Sequence, residues 1–140
     1  MDRVDKATRS RIMRAIKSRD TKPELALAVA LRAAGVIFDR PGRGVLPGTP
    51  DFVILGLKSR PNEFVRLVVF MHGCFWHLCA RHYTAPAGAG FRRKMDANRR
   101  RDIRVRRQLR ALGWRTMVVW EHEVPARAAQ RVRRRAGSDR

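Results

Sequence analysis

The sequence is poor in cysteine, in acidic residues and in long apolar runs, and each shortage excludes a class of protein. Two cysteines in 140 residues rule out a small fold held together by several disulfides. No stretch approaches the roughly 20 apolar residues that span a membrane, and residues 1–6 lack the apolar segment of a signal peptide. We therefore expect a cytoplasmic protein without a membrane partner.

Basic residues greatly outnumber acidic ones. The 32 Lys and Arg residues against 12 Asp and Glu give a formal net charge of +20, which predicts strong, salt-dependent attraction to phosphates. A genome that favours arginine codons would also raise this count. The basic residues cluster around the candidate site, however, which favours DNA as the partner. A hydrophobic content of 44% excludes a wholly disordered basic protein.

The chain divides into three segments. Residues 1–20 are basic and weakly apolar, and we predict an arm outside the core. Residues 21–124 carry the main folded domain, and residues 125–140 form an arginine-rich helix that continues as a tail. A chain of this length is expected to bury one real core.

The main domain alternates between helical and strand patterns. Thr21-Lys22-Pro23-Glu24 is a capping box with proline in the first turn, so a helix is expected from there to Gly35. Apolar residues recur at helical spacing over 91–112, which predicts a long helix ended by Gly113. Strands are predicted at residues 36–38, 52–55, 64–70 and 114–120. This order predicts an α/β fold with a mixed central sheet flanked by helices.

All four histidines and both cysteines fall into two short stretches of the sequence. Cys74, Cys79 and His82 occupy one compact loop. His122 is the best fourth ligand because it can close the site from the end of the last strand. Two thiolates and two imidazoles suit tetrahedral zinc, so we predict a structural Zn²⁺. The alternative is a set of core cysteines and surface histidines, and the spacing matches no standard zinc finger. The two cysteines could also form one disulfide, but a closely spaced pair followed by histidine in a reducing cytosol favours metal binding.

Two histidines remain beyond the four that zinc requires. His77 is the candidate general base, because an imidazole with a pKa of about 6.5 deprotonates water at neutral pH. The rival interpretation makes His77 a zinc ligand. His72 would assist by holding a water molecule or the scissile phosphate.

Asp51 stands at the start of an apolar strand, after Gly48-Thr49-Pro50, where a loop can aim its carboxylate into a cleft. Such a carboxylate is a hard oxygen ligand that suits Mg²⁺ together with a substrate phosphate. An ordinary turn aspartate gives the same local pattern. If its strand pairs with the next one, Asp51 comes close to Met71 and His72.

Polar residues on the two helices have both structural and functional interpretations. Glu24 is explained by the capping box alone, yet a helix N-terminus also suits an acid that supports an active site. Asn98 and Asp102 lie on the apolar stripe of the long helix, so their burial requires partners. Asp102 is suited to orient a histidine, and Lys94, one turn before Asn98, adds a hydrogen-bond donor.

Phe75 and Trp76 are adjacent large aromatics that stand between metal ligands. Both rings cannot easily be buried in such a loop, so we expect a wedge that stacks on or between bases. Packing of one ring against the core is the alternative.

These motifs and their order resemble those of the very short patch repair (Vsr) DNA mismatch endonucleases over roughly residues 3–124. The shared motifs are Asp5-Lys6-x-Thr8-Arg9-Ser10-x-x-Met13, Asp20-Thr21-x-x-Glu24, Leu46-Pro47-Gly48-x-Pro50-Asp51-Phe52, His72-Gly73-Cys74-Phe75-Trp76-His77, Asn98-x-x-x-Asp102, Gly113-Trp114-Arg115 and Val119-Trp120-Glu121. The resemblance implies a type II restriction-endonuclease-like fold. It also implies Mg²⁺-dependent incision of one strand 5′ of the mispaired thymine in a T:G mismatch, which arises when 5-methylcytosine deaminates.

The resemblance implies a role for individual residues. Mg²⁺ is held by Asp51 and the backbone carbonyl of Met71, and the base is His77. Catalytic support comes from His72, Glu24 and Asp102. The structural zinc is held by Cys74, Cys79, His82 and His122. The aromatic wedge consists of Phe75, Trp76 and Phe91. Contacts to the mismatch come from Lys94 and Asn98, and the arm that embraces the opposite groove includes Met13.

Three departures from the family pattern are visible. Met71 replaces a threonine, a tolerable change if the backbone carbonyl is the ligand, and Phe91 replaces a tryptophan, with less stacking area. His82 and His122 stand where some members have cysteine, an exchange that zinc accepts.

The expected assembly is a monomer on double-stranded DNA with a T:G mismatch, in the bacterial nucleoid when bound, with other mismatch-repair proteins as further partners. The alternatives are a restriction-type nuclease with another DNA substrate and a zinc-stabilised DNA-binding protein without catalysis. Asp51 and the two spare histidines favour an enzyme over the binding protein.

Overall fold

The computed structural model describes residues 21–73 and 89–138, apart from the side chains of Ala89 and Phe91. The predicted N-terminal arm and the predicted zinc loop lie outside the described residues. The described residues form a sheet, the helices packed on it and loops that join them.

The described chain contains three helices and four strands. In chain order they are α1 (Lys22–Ala33), β1 (Val36–Asp39), β2 (Phe52–Leu57), β3 (Leu67–His72), α2 (Ala89–Ala111), β4 (Arg115–Trp120) and α3 (Pro125–Gly137). This order confirms the one predicted from the sequence. None of these three helices is long and apolar enough to cross a membrane.

α1 begins at the capping box that the sequence predicts. The Glu24 N–H donates to the Thr21 hydroxyl at 3.4 Å, and the Thr21 N–H donates to the Glu24 carboxylate at 2.9 Å. This reciprocal pair satisfies N–H groups that have no partner within the helix. Gly35 follows the helix with a φ of 77°, a left-handed conformation that lets the chain turn at once into β1.

The four strands form one mixed sheet in the order β1-β2-β3-β4. The first two pairings are antiparallel, and β3 pairs with β4 in parallel, so α2 supplies the crossover that a parallel pair requires. In the β2–β3 register Phe52 lies opposite Val69. The arrangement confirms the predicted α/β class with a mixed central sheet and is consistent with a nuclease-like fold.

Helices cover both faces of this sheet. α1 and α3 pack on one face, in a buried cluster that includes Leu27, Leu31, Phe52, Val119, Ala128 and Val132. α2 packs on the other face through Leu109, which joins Val53, Val68 and Phe70 in a second buried cluster. The C-terminal helix therefore shares a core with α1.

The third strand begins later than its sequence predicts. Apolar content predicts a strand over 64–70, but β3 runs over Leu67–His72 and Phe64 is 94% exposed. At Phe64 the chain is still leaving the preceding turn, and it meets β2 through a hydrogen bond from the Val65 N–H to the Leu55 carbonyl at 3.1 Å. An apolar residue beside a turn thus lengthens the predicted strand without joining the sheet.

β4 is an edge strand of this sheet, and two side chains close its outer side. Because the Glu121 N–H donates to β3, the N–H of the preceding Trp120 points away from it. The Trp120 N–H donates to Glu123 at 2.8 Å, and Arg131 donates to the Val118 carbonyl at 3.4 Å. Arg131 and Glu123 are also ion-paired at 2.6 Å. The outer edge therefore offers fewer open backbone groups to another strand.

The loop between β1 and β2 contacts α2 at Gly48. Gly44, Gly48 and Thr49 all have positive φ angles, of 78°, 74° and 48°. A Cβ atom added to Gly48 would collide with the Val105 side chain, whereas one added to Gly44 would meet nothing within 4 Å. Gly48 is therefore needed both for its backbone conformation and for the close approach of this loop to α2.

We predict that Gly48→Ala lowers the free energy of unfolding by about 1–3 kcal/mol more than Gly44→Ala does, since only the former overpacks the loop against α2. Both changes place alanine at a positive φ, so Gly44→Ala controls for backbone strain. Urea denaturation of the two variants and the wild type measures the difference. Equal losses would show that the Gly48–Val105 contact has no energetic weight.

Candidate active site

Asp51 is tied to β3 by both its backbone and its side chain. The Asp51 N–H donates to the Val69 carbonyl at 3.0 Å, and the Met71 N–H donates to the Asp51 Oδ2 at 2.7 Å. The carboxylate therefore continues the β2–β3 hydrogen bonding beyond the first residue of β2. It reaches the end of β3, where His72 is the last strand residue.

A second carboxyl group contacts Asp51 from α1. Glu24 is buried, at 6% exposure, and its side chain is hydrogen-bonded to that of Asp51. Arg40 lies beside the pair, with its Nη2 3.3 Å from a Glu24 oxygen and its Nε donating to the Asp51 carbonyl at 3.4 Å. The guanidinium carbon of Arg40 also lies 5.0 Å from the centre of the Phe52 ring. A cation thus holds the first turn of α1 against the start of β2.

The two carboxyl groups differ sharply in acidity. The pKa of Asp51 is raised from 3.8 to about 8, first because burial removes water from it and then because Glu24 lies against it. The Met71 N–H and the charge of Arg40 act in the opposite direction but do not prevail. Burial also acts to raise the pKa of Glu24, yet its hydrogen bonds with Asp51 and Thr21, together with Arg40, lower it below its ordinary value. The pair therefore keeps one proton at neutral pH.

A cleft of about 370 Å³ opens beside Asp51. Its walls come from the loop before β2, the end of β3 and one face of α2. The lining residues are Gly48, Thr49, Asp51, Phe70, Met71, His72, Arg101, Asp102, Val105 and Arg106. Polar groups of both charge signs therefore meet across one opening between the sheet and α2.

The structure brings together residues that the sequence predicts as one site. Asp51, Met71, His72 and Asp102 line the same cleft, and Glu24 contacts Asp51 from outside it. The predicted approach of Asp51 to Met71 and His72 is confirmed, through adjacent antiparallel strands. The roles assigned to these residues stay predictions.

His72 is held rigidly at the edge of the cleft. It is 7% exposed, and its ring stands edge-on to Trp120 with 5.3 Å between the ring centres. The Phe70 ring lies 6.2 Å from the His72 ring, with 52° between the two ring planes. Packing of this kind restricts the imidazole to one orientation, which suits a group that must hold a water molecule or a phosphate in place.

The donors beside Asp51 are oxygen atoms. No three His, Cys, Asp or Glu side chains within 21–73 and 89–138 lie close enough together to hold a metal ion. The Met71 carbonyl lies on the same side of β3 as its N–H, beyond the last β2–β3 residue pair. One carboxylate, one backbone carbonyl, water and a substrate phosphate form the kind of donor set that Mg²⁺ accepts. The local chemistry thus fits the predicted ion.

Other predicted site residues lie elsewhere in the described chain. Lys94 is exposed and Asn98 is half-buried on the N-terminal half of α2, where Arg101 donates to the Asn98 Oδ1 at 3.3 Å. His122 is half-buried in the turn after β4 and lines a different cleft, with Trp120. The positions of Lys94 and Asn98 leave the mismatch contacts as predictions, and the position of His122 leaves the zinc site as a prediction.

Seven predicted residues lie outside the described residues, namely Met13, Cys74, Phe75, Trp76, His77, Cys79 and His82. For Phe91 only the backbone, within α2, is described. The assignments of the general base, of three zinc ligands and of the aromatic wedge therefore remain those of the sequence.

Sequence reasoning missed three arginines of the site. Arg106 stands one turn after Asp102 on the same face of α2, so helical spacing from Asp102 could have identified it. Arg101 precedes Asp102 directly and was hidden among the many arginines of this helix. No local pattern marks Arg40, because its partners Glu24 and Asp51 lie on other elements.

Comparison with known proteins shows the family to which this chain belongs. A family model described as "DNA mismatch endonuclease Vsr" matches residues 1–83. The DNA mismatch endonuclease Vsr of Escherichia coli (strain K12) is 43% identical over 120 residues, which cover 84% of this chain and 71% of that protein. The chain belongs to the Vsr family of DNA mismatch endonucleases.

Relatives named as nicking enzymes extend the family further. The Type II nicking enzyme V.XorIIP of Xanthomonas oryzae pv. oryzae is 38% identical over 133 residues, covering 88% of this chain and 86% of that protein. The Type II nicking enzyme V.NaeI of Lentzea aerocolonigenes is 38% identical over 125 residues, covering 84% and 69%. The predicted relationship to Vsr endonucleases is therefore confirmed.

Membership of the Vsr family offers an explanation for the exposed arginines of α2. Four arginines on the N-terminal half of this helix are exposed and lie outside the cleft, namely Arg92, Arg93, Arg99 and Arg100. A DNA-acting family gains from such a surface, because the attraction of basic residues for phosphates does not depend on the base sequence.

We predict that Asp51→Asn raises the melting temperature in magnesium-free buffer, and that the gain grows as the pH rises from about 5 to about 8. In this range the folded wild type keeps a proton that the unfolded chain, with an ordinary Asp pKa of 3.8, has released. Wild-type stability therefore falls as the pH rises towards about 8. Asparagine carries no charge, yet it can accept from the Met71 N–H and donate to Glu24.

Thermal melts of both proteins across this pH range measure the effect. Asp96→Asn, at an exposed position of α2, is the matched control and should leave the pH dependence unchanged. A melting-temperature difference that is the same at every pH would contradict the raised Asp51 pKa.

Proposed function

We propose that the protein nicks double-stranded DNA 5′ of the mispaired thymine in a T:G mismatch, by Mg²⁺-dependent hydrolysis of one phosphodiester bond. The observation that carries the proposal is the Asp51 carboxylate, which is held by the Met71 N–H and by Glu24 beside a cleft shared with His72 and Asp102. Membership of the Vsr family supports the substrate class.

Mg²⁺ would be held by Asp51 and the backbone carbonyl of Met71. When bound, it would polarise the scissile phosphate and offset its negative charge. Glu24 positions the Asp51 carboxylate through their shared hydrogen bond, and Arg40 in turn holds Glu24. Asp51 accepts from the Met71 N–H, so side chain and carbonyl meet at the end of β3.

Histidines supply the proton transfer in this proposal. His77 takes the proton of the attacking water, a role for which imidazole is the side chain most often used. His72, whose ring contacts that of Trp120 and lies near that of Phe70, holds the water or the phosphate at the edge of the cleft. Asp102 lines the cleft from α2, where a carboxylate can orient an imidazole.

Mismatch recognition is assigned to aromatic and polar groups around this cleft. Phe75, Trp76 and Phe91 form the wedge that enters the base stack, where a mismatch lowers the cost of unstacking. Lys94 and Asn98 contact the mispaired bases from the N-terminal half of α2. Arg101, which donates to Asn98, lies at the cleft, so this half of the helix is continuous with the proposed site of hydrolysis. The arm at residues 1–20, with Met13, embraces the opposite groove.

Incision of one strand is favoured over cleavage of both. Relatives across most of the chain are named as nicking enzymes, which supports a single cut. A restriction-type nuclease with another DNA substrate is the second candidate, and the choice of duplex in the assay below separates the two. A DNA-binding protein without catalysis would not require the Asp51–Glu24 pair at this cleft, so the pair favours an enzyme.

A structural zinc is proposed at Cys74, Cys79, His82 and His122. The position of His122 supports this set, because Glu121, directly before it, donates to the His72 carbonyl at 2.9 Å. Cys74 follows His72 by two residues in the sequence. His72 and Glu121, which lie two residues before Cys74 and one before His122 in the sequence, are thus hydrogen-bonded to each other, and this supports a common site. Thiolates with imidazoles are the donors that zinc prefers.

We expect Mg²⁺-dependent nicking of an end-labelled duplex with T:G and none of matched T:A or C:G duplexes in the same contexts. Asp51→Ala should lower the nicking rate by at least about 100-fold, the scale of removing one charge-stabilising group. DNA affinity should stay nearly unchanged because the basic surface is intact. Glu63→Ala removes an exposed carboxylate of the β2–β3 turn and serves as the matched control. Rapid cleavage by Asp51→Ala would refute the assignment, and equal cutting of T:A duplex would refute the mismatch specificity.

Elemental analysis should find about one zinc ion per chain of the wild type. Cys79→Ala should lose this zinc and melt at a lower temperature, because a structural ion stabilises only the folded chain. Thermal melts with and without added zinc measure the second effect. A variant that keeps both its zinc and the wild-type melting temperature would show that Cys79 is not a ligand.

A further inference from the structure

Two arginines of α2 line the cleft that contains Asp51. Arg101 and Arg106 flank Asp102 in the sequence, and all three residues contribute to the cleft lining. Five residues of α-helix separate the two arginines by about 7.5 Å along the axis and about 140° around it. The α2 wall of the cleft therefore carries two guanidinium groups with a carboxylate between them, opposite the carboxylate of the sheet wall.

Arg106 is half-buried in the wall of the cleft. Within the described segments 21–73 and 89–138 no ion pair holds its guanidinium group, and none of its nitrogens is buried without a partner, so they still meet the water of the cleft. A guanidinium group is always charged, and its planar set of donors suits an oxyanion. A half-buried guanidinium in the wall of the cleft with no carboxylate paired to it therefore favours a negatively charged ligand there.

Arg101 is placed differently. It is exposed at the rim of the cleft, and one of its amino groups donates to the Asn98 Oδ1 at 3.3 Å. A guanidinium has five N–H donors, so this contact orients the side chain and leaves other donors for a ligand. The two arginines thus differ in depth, with Arg106 nearer the interior and Arg101 nearer the surface.

We propose that Arg106 binds the non-bridging oxygens of the scissile phosphate and that Arg101 binds the neighbouring phosphate of the same strand. The planar fork of a guanidinium matches two phosphate oxygens, which a point charge does not. Arg106 receives the scissile phosphate because it is the deeper of the two and shares the cleft with Asp51 and His72. The assignment rests on the proposed phosphodiester cleavage.

The two contacts act at different stages of the reaction. Negative charge on the phosphate oxygens increases as water attacks, so a donor fork on the scissile phosphate stabilises the transition state more than the bound substrate. A contact to the neighbouring phosphate is equally strong in both states. Arg106 therefore determines the rate of the bound complex, and Arg101 determines affinity and its dependence on salt.

The same helix offers a matched control. Arg104 lies between the two arginines in the sequence, is exposed and does not line the cleft. Nine residues of helix place it about 180° from the buried Met95, so it points away from the core. Arg104→Ala removes the same charge from the same helix without touching the cleft.

The experiment measures single-turnover nicking of a T:G duplex at saturating protein, and the Kd for T:G and T:A duplexes over a range of salt concentrations without Mg²⁺. Arg106→Ala should slow nicking at saturating protein by about 100-fold, a larger effect than its effect on Kd. Arg106→Lys should remain roughly tenfold slower than wild type, because it keeps the charge but loses the fork. Arg101→Ala should reduce the slope of log Kd against log salt by about one unit and should slow nicking far less than Arg106→Ala does. Arg104→Ala should leave the nicking rate unchanged.

Nicking by Arg106→Ala at the rate of Arg104→Ala would overturn the assignment of Arg106, and so would a full wild-type rate for Arg106→Lys. If Arg106→Ala melts below the wild type, Arg106→Lys decides the question. A salt slope for Arg101→Ala equal to that of Arg104→Ala would overturn the assignment of Arg101. If the wild type nicks no T:G duplex, the proposed function fails, while the salt slopes still test the phosphate contact of Arg101.

Discussion

The hydrogen bond from the Met71 N–H to the Asp51 carboxylate is the constraint on which the site depends. It replaces a backbone acceptor with a side chain where β2 has not yet begun, so the carboxylate lies among backbone groups instead of in water. The partial burial raises its pKa, and the Glu24 carboxyl group shares a proton with it. Arg40 lies against both α1 and the start of β2, where its positive charge offsets the charge of this carboxyl pair. The raised pKa, the shared proton and the position of Arg40 all depend on the Asp51 carboxylate, which continues the hydrogen bonding between β2 and β3.

Glu24 shows how far local sequence patterns reach. Its spacing from Thr21 predicts a capping box, and the structure has both of its hydrogen bonds. The capping role and a role at the site looked like alternatives in the sequence, yet one carboxyl group makes both kinds of contact. The contact within α1 is encoded by a spacing of three residues, whereas the contact with Asp51 depends on how α1 packs on the sheet.

The difference between local contacts and tertiary contacts also explains which other features of the structure the sequence predicts. The helices and strands were predictable because their apolar periodicity and their glycine and proline signals are local. The start of β3 was not, because Phe64 has a strand-like side chain but its neighbours still belong to a turn. Asp51, His72 and Asp102 were identifiable as polar residues in apolar surroundings. Arg40 was not, because only the tertiary structure brings it to its partners.

The side-chain hydrogen bonds on the outer edge of β4 matter where many copies of the chain lie close together. A formal net charge of +20 keeps separate copies of the chain apart in solution, but this repulsion disappears where many copies gather on one polyanion. An exposed strand edge can then pair with the edge of another copy. Glu123 and Arg131 occupy the Trp120 N–H and the Val118 carbonyl through local hydrogen bonds. This protection acts at short range, so it persists at high local concentration, where electrostatic repulsion no longer separates the copies.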